Sequence, residues 1–214
     1  MTSPALAVYG SGGFAREVAW LAQECGYDVV CFIEDDASKT GGFVDDLPVM
    51  SVDDAAARFP NHPIAAGIGS PSAREAVIRR AIGHGFIPAL LVHPRVEKSK
   101  RVTLGKGVVI CAGNILTTSI TVGDYVQVNL DCTIGHDVEL AEYATLAPGV
   151  HVSGCVTIGR RAYVGTGATI INGTPQQRIV IGDDAVVGAG ACVTRSVDAG
   201  VTVVGVPAKP ITPR

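Results

Sequence analysis

Two hydrophobic periods divide this chain, and the change from one to the other falls near residue 92. Up to Leu91, short continuous apolar runs alternate with helical spacing. "ALAVYG", "DVVCFIEDD" and "PIAAGIG" read as buried strands. "GGFAREVAWLAQECG", "SVDDAAARF" and "SAREAVIRRAIGHG" carry apolar residues at helical intervals, and the last begins with a serine cap. Strands alternating with helices predict a small three-layer α/β unit with a parallel sheet over residues 1–91.

Beyond residue 92 the spacing becomes six. Aliphatic residues stand at 104, 110, 116, 122, 128, 134, 140, 146, 152, 158, 164 and 170, then at 181, 187 and 193. The position two before each is mostly small or β-branched, as at Val108, Val126, Cys132, Val138 and Ala144. The position after is often glycine, at 105, 123, 135, 159, 165, 182 and 188. No helix or simple strand repeats every six residues. A hexad winds the chain into a three-sided prism, each short strand stacking on its equivalent 18 residues later at about 4.8 Å. The step from Ile170 to Ile181 is 11 rather than 12. "TPQQR" is therefore expected to leave the prism as a loop, either idle or covering a ligand at a subunit boundary.

On this hexad pattern, residues 102–205 resemble the hexapeptide-repeat acyltransferases, whose fold is a left-handed parallel β-helix. The hand is implied by the resemblance, since the general rule for parallel crossovers favours the right. The expected architecture is an α/β Rossmann-like nucleotide-binding domain over residues 1–91 followed by a left-handed parallel β-helix over residues 92–214. The same coil serves γ-class carbonic anhydrases and nucleotidyltransferase tails, so it does not by itself name an activity.

Composition narrows the partners. Of 214 residues, 47% are hydrophobic and 17% charged, which supplies ample core, and aromatics at 5% leave that core to aliphatic side chains. A net charge of -3, with no basic cluster beyond "KSKR" at 98–101, gives no footprint for nucleic acid. The start "MTSPALAVYG" does not read as an export signal and no apolar run is long enough to span a bilayer, so a cytoplasmic protein without membrane association is expected. Cysteines 25, 31, 111, 132, 155 and 192 show neither CxxC nor Cys/His ligand spacing and read as buried thiols. The 26 glycines are spread along the chain and read as punctuation at repeated tight turns.

"GSGGFA" follows the first strand and opens the first helix, placing Gly10, Gly12 and Ala15 on G-x-G-x-x-A with Glu34 near the end of the second strand. Roughly 85 residues provide only half of a dinucleotide fold. The loop Gly10, Ser11, Gly12 and Gly13 therefore suits the phosphates of one nucleotide or nucleotide sugar, with NAD and a purely structural turn as the other readings. "GIGSPSAR" after the third strand would face the same crevice, offering Gly69, Ser70 and Arg74 to phosphate, with Asp35 or Asp36 for a base or ribose.

His136 and Asp137 interrupt the hexads in "LDCTIGHDVEL". Two places after Ile134, His136 falls at a prism corner, stacked with Thr118, Gly154 and Asn172, and Gly154 has no side chain to close the groove above it. A thioester could approach there, with a backbone N–H to meet a developing oxyanion. The alternative is a solvated corner histidine beside an ordinary turn residue. Across both domains the chain resembles the N-acetyltransferases of nucleotide-linked 4-amino sugars and the sialic acid O-acetyltransferases. That resemblance implies His136 as general base, Asp137 as its partner, Asn129 near the sugar, and Gly154, Ala189, Pro207 and Lys209 along acetyl-CoA, in a homotrimer with active sites between neighbouring helices. Neutral imidazole suits removal of an ammonium proton, and no covalent acyl-enzyme or metal is required. Thr145 stands where many relatives carry a second histidine, and "GGFAREV" where many have "GHxxVV", which bears on the acceptor. O-acetylation or transfer of another acyl group, a non-catalytic sugar-nucleotide binder, and a metal hydrolase on the same coil are the rival readings. The last needs about three histidines, and the repeat half has only His136 and His151.

Overall fold

A computed structural model describes residues 3–211, which divide into two units between Pro94 and Arg95. In the first, β1 (Ala5–Tyr9), α1 (Gly13–Glu24) and β2 (Asp28–Ile33) are followed by β3 (Phe43–Val44), β4 (Leu47–Met50), α2 (Val52–Arg58), β5 (Pro63–Ala66), α3 (Pro71–Gly83) and β6 (Ile87–Pro88). The sheet order is β3-β4-β2-β1-β5-β6, with β4, β2, β1, β5 and β6 mutually parallel and β3 an antiparallel edge. Strand order reverses at β1 and β5, so the loops leaving these two strands flank the crevice of an open α/β sheet.

Two details differ from expectation. The β3–β4 hairpin adds strands in "GGFVDDLPVM", to which the hydrophobic pattern assigns no element; its turn residues Asp45 and Asp46 take φ of 46° and 63°, a left-handed turn that aspartate tolerates. Helix α3 starts before Ser72, because Pro71 occupies its first turn and Ser70 supplies the cap by accepting from the Ala73 N–H.

The second unit is a parallel β-helix of triangular section. Its three sheets are ladders of equivalent strands, Gln127–Val128 on one face, Thr133–Ile134 on the next and Glu139–Leu140 on the third. Register is set by 18-residue stacking: Val109 pairs with Gln127, Ile115 with Thr133, and Thr121 with Glu139. The hexad aliphatics and the residues two before them fill the interior, Val126, Val128, Cys132, Ile134, Val138 and Leu140 all being buried.

Glycine has two parts here. A left-handed turn falls three residues after most hexad aliphatics: Gly107, Gly113, Gly149, Gly167 and Gly190 hold it with φ of 61–78°, as expected, and Ser119, Tyr125, Asp131, Asp137, Tyr143, Cys155 and Arg161 hold it with φ of 54–59°. The glycines one place after the aliphatic serve coil stacking. A Cβ on Gly135 would lie 2.8 Å from the amide nitrogen of Gly154 in the next coil.

The excursion is where the hexads break. Thr157 pairs with Val180 across 23 residues instead of 18, so five residues are inserted between Ile170 and Ile181. Among the described residues no helix is long and apolar enough to cross a membrane.

Candidate active site

The crevice of the first unit is built by two glycines with different tasks. Gly10 takes φ +100°, which turns the chain sharply out of β1. Gly67, at the end of β5, lies against α1, and a Cβ there would stand 2.6 Å from Ala15 Cβ. Helix α1 therefore begins close over the sheet. Its N-cap is Gly12, with no side chain capping the first turn, and nothing stands within 4 Å of where side chains on Gly12 or Gly13 would project. An uncapped helix start with open space before it is an anion site in waiting. The Ser11 hydroxyl donates to Glu34 Oε2 at 2.7 Å, tying the loop to the end of β2.

The other residues expected to bind nucleotide are already engaged. Arg74 is 1% exposed, and its guanidinium donates to the carbonyls of Ile68 and Gly69 at 3.1 and 3.4 Å. It shapes the second turn and does not project from it, because a buried guanidinium has to satisfy its donors locally. Ser70 is spent as the α3 cap. Asp36 accepts from the Ser38 hydroxyl and N–H, which with Lys39 hold its carboxyl below the usual range. Asp35 receives the Tyr9 hydroxyl at 2.6 Å and Arg80 at 2.7 Å. Burial and then this carboxylate push the Tyr9 phenol well above its ordinary pKa, so it remains a donor.

In the second unit His136 and Asp137 occupy a corner between two sheets. The stacking is as the hexads predict: Asp137 N–H donates to the Thr118 carbonyl, Cys155 N–H to the His136 carbonyl and Gly173 N–H to the Gly154 carbonyl. His136 Nδ1 and Asp137 Oδ2 are 2.8 Å apart, with the two side chains 59% and 50% exposed. A carboxylate only accepts, so Nδ1 carries the proton and Nε2 presents its lone pair. The ring lies where a Gly154 side chain would be, a Cβ there falling 2.5 Å from His136 Cε1. Gly154 is thus the seat of the imidazole itself. The Gly154 N–H makes no hydrogen bond among the described residues.

Two neighbours of the pair were missed in the sequence. Cys155 stacks on Asp137, 18 residues on, and its Sγ lies within 4.8 Å of donor atoms on both His136 and Asp137. Stacking register could have disclosed it. Arg178, at the root of the excursion, reaches the Asp137 carbonyl at 2.8 Å, and the break in register conceals that contact.

The structure does not bring all the expected residues of this unit together. Asn129 and Ala189 lie at the corner before the second sheet, whereas His136 and Gly154 lie at the corner after it, with Thr133–Ile134 between. Asn129 is held from inside: the amide of buried Asn114 donates to the Asn129 carbonyl at 2.9 Å and to that of Cys111 at 2.7 Å, and its oxygen accepts from the Cys132 N–H at 2.9 Å. Pro207 and Lys209 are in the closing hairpin, where Val204 pairs with Lys209. His151 sits on the flat second sheet bonded to Thr133 at 2.8 Å, so no second histidine stands at the His136 corner among the described residues.

Comparison with known proteins places this geometry. The PglD N-terminal domain family matches residues 5–81. GDP-perosamine N-acetyltransferase of Escherichia coli O157:H7 is 31% identical over 208 residues, 94% of each chain. A mutant of perosamine N-acetyltransferase from Caulobacter crescentus, with a histidine replaced by asparagine and in complex with CoA and GDP-perosamine, superposes with a TM-score of 0.89 at 29% identity, covering 98% of this chain and 97% of that one. The acetyltransferase domain of PglB from Neisseria gonorrhoeae, in complex with acetyl coenzyme A, gives 0.87 at 31% identity, covering 98% and 100%.

Proposed function

On the premise that this chain belongs to the hexapeptide-repeat sugar N-acetyltransferases, a Rossmann-like unit followed by a left-handed β-helix, we propose that His136 is its general base and Asp137 the partner that holds the base. The reaction is acetyl-CoA-dependent N-acetylation of a nucleotide-linked amino sugar. The sugar amine attacks the thioester carbonyl, its proton passes to His136 Nε2, and the carbon–sulfur bond breaks to expel the coenzyme A thiolate, which takes that proton from the imidazolium and leaves as the thiol. The observation that carries this reading is the 2.8 Å contact between His136 Nδ1 and Asp137, which fixes the tautomer and leaves Nε2 open. Asp137 also stabilises the imidazolium that forms. The free Gly154 N–H beside the ring is the donor assigned to the tetrahedral oxyanion, where one such bond is worth roughly 10²–10³ in rate.

The nucleotide is assigned to the first unit, its phosphates on the amides of Gly10–Gly13. Asp35, already ordered by Tyr9 and Arg80, is assigned to the base or ribose. Arg74 and Ser70 are assigned to holding the neighbouring turn. GDP-perosamine, bound by the Caulobacter relative, is the first acceptor to try. The compartment is assigned as cytoplasmic, in keeping with an acetyl-CoA substrate and six cysteines that are all free thiols.

The separation of Asn129 and Ala189 from His136 and Gly154 favours a homotrimer. One acetyl-CoA and one sugar meet both corners only if one corner comes from each of two copies packed around a threefold axis. Mixing tests this directly. His136→Ala and Asn129→Ala chains, each inactive alone, should regain activity when dissociated and reassembled together, because about one interface in four would pair an intact His136 with an intact Asn129. No recovery would refute the shared site. For the reaction, thiol release from acetyl-CoA with GDP-, UDP- and dTDP-linked amino sugars, wild type against His136→Ala, is decisive. Turnover kept by His136→Ala would remove the base assignment.

A further inference from the structure

The excursion at residues 172–178 is a built element. Thr174 and Gln177 exchange backbone bonds at 2.9 and 3.1 Å across Pro175–Gln176, closing a two-residue hairpin. The hairpin is rooted on the coil that stacks over the catalytic pair: Gly173 N–H donates to the Gly154 carbonyl at 3.0 Å and Ile179 N–H to the Cys155 carbonyl at 3.2 Å. Gly173 fits there only without a side chain, since a Cβ would lie 2.6 Å from the Cys155 carbonyl oxygen.

From the end of this hairpin Arg178 reaches back across two coils. Its Nε donates to Thr157 Oγ1 at 2.9 Å, and its Nη2 donates to the carbonyls of Val156 at 2.9 Å and Asp137 at 2.8 Å, with Glu139 Oε1 at 3.5 Å. Stacked coils rise about 4.8 Å each, so the guanidinium fastens three successive layers. Its planar, multiply donating fork suits this, and an ammonium could not satisfy all these acceptors at once. The lowest layer is the corner of Asp137, whose backbone is left-handed at φ 57°, a conformation that costs a non-glycine residue energy. The direction of that corner sets where the carboxylate points, and the carboxylate holds His136 Nδ1.

We propose that Arg178 is a positioning residue for the transfer reaction: by clamping the Asp137 carbonyl it holds the Asp137 carboxylate on His136 and keeps Nε2 aimed at the sugar amine. The inference rests on His136 being the base. Arg178 closes the excursion in stacking register over Cys155, two coils above Asp137, and its side chain spans the coil between.

The test compares wild type, Arg178→Ala and Arg178→Lys, using GDP-perosamine and acetyl-CoA for kinetics and ¹⁵N NMR of the His136 imidazole for tautomer. Arg178→Ala is expected to lower kcat about 10²-fold, the cost of a displaced catalytic group, with both KM values within about twofold of wild type. Added guanidine should recover part of the loss, and the imidazole should change from one tautomer, protonated at Nδ1, to a mixture. A residue that only anchors the hairpin would change neither tautomer nor guanidine response. If Arg178→Ala does not fold, Arg178→Lys carries the test, since a single nitrogen cannot reproduce the separate Nε and Nη2 donors that hold Thr157 and Asp137 in a fixed plane, and the tautomer should again become mixed. A single Nδ1-protonated tautomer in whichever variant folds overturns the proposal, as does a raised KM with unchanged kcat. Full activity in His136→Ala would instead remove the base reading, while the tautomer measurement would still decide what Arg178 does.

Discussion

Gly154→Ala is the sharpest probe of this site. Gly154 lacks a left-handed φ, so alanine meets no backbone penalty there. The added methyl would stand 2.5 Å from Cε1 and 2.9 Å from Cδ2 of His136, more than 0.5 Å inside the roughly 3.5–4.0 Å of an ordinary carbon contact. The neighbour that must give way is a side chain 59% open to solvent, so the imidazole can swing out instead of straining the coil. Overpacking a closed core costs about 1–3 kcal/mol, and relief into solvent puts this variant at or below the low end of that range. Activity should respond very differently. Swinging the ring away breaks the 2.8 Å bond to Asp137 and removes Nε2 from its seat, which forfeits most of the roughly 10²–10⁴-fold that general base catalysis supplies. The assay is thiol release at saturating acetyl-CoA beside a thermal melt. The expected result is a kcat lowered by at least about 10² with a nearly unchanged melting temperature. Wild-type kcat in a folded Gly154→Ala protein would falsify the reading that the ring works from this position.

Three further outcomes follow from other contacts. Gly67→Ala should cost the first unit more than about 3 kcal/mol in a urea titration, because the methyl meets Ala15 at 2.6 Å with no solvent to escape into. Asn114→Ala should lower stability by about 2–4 kcal/mol, through the buried Cys132 N–H and the Cys111 and Asn129 carbonyls that it leaves unpaired; an unchanged urea midpoint would show that water replaces all three bonds. Arg161 bonds to Asp184 at 2.6 and 2.7 Å and holds that carboxyl below its usual range. The pair's contribution is therefore present above the unfolded pKa near 3.8 and lost as pH falls through the lower folded value. As an exposed pair it is worth under about 1 kcal/mol, and Asp184→Asn should flatten acid melting only below the unfolded carboxyl pKa near 3.8.

The fold was legible because its repeat is rigid. A buried aliphatic every sixth residue leaves one way to stack coils, and that register placed His136 over Gly154 from spacing alone. The first unit was legible in outline for the same reason that its β3–β4 hairpin was not. Strands of two and four residues carry too few side chains to show a period, and the turn of "VDDL" is recognised only once its two aspartates are seen in left-handed geometry. Site residues divide by what a side chain does once folded. Arg74 and Ser70 have the composition of phosphate ligands, yet burial commits one to carbonyls and helix capping commits the other, and sequence cannot tell a donor that is available from one already used.

Arg178 is the opposite case. The five inserted residues shift the number at which its stacking position falls, and an insertion is where a repeat loses its power to predict neighbours. Regular hexads bring position 137 against 155 and 119, never against 178. Within a β-helix, then, residues that support the chemistry can be sought where the period fails. Here a long side chain at the end of an excursion reaches past its nearest coil, from Arg178 over Cys155 to the Asp137 carbonyl, at the corner that holds the proposed base.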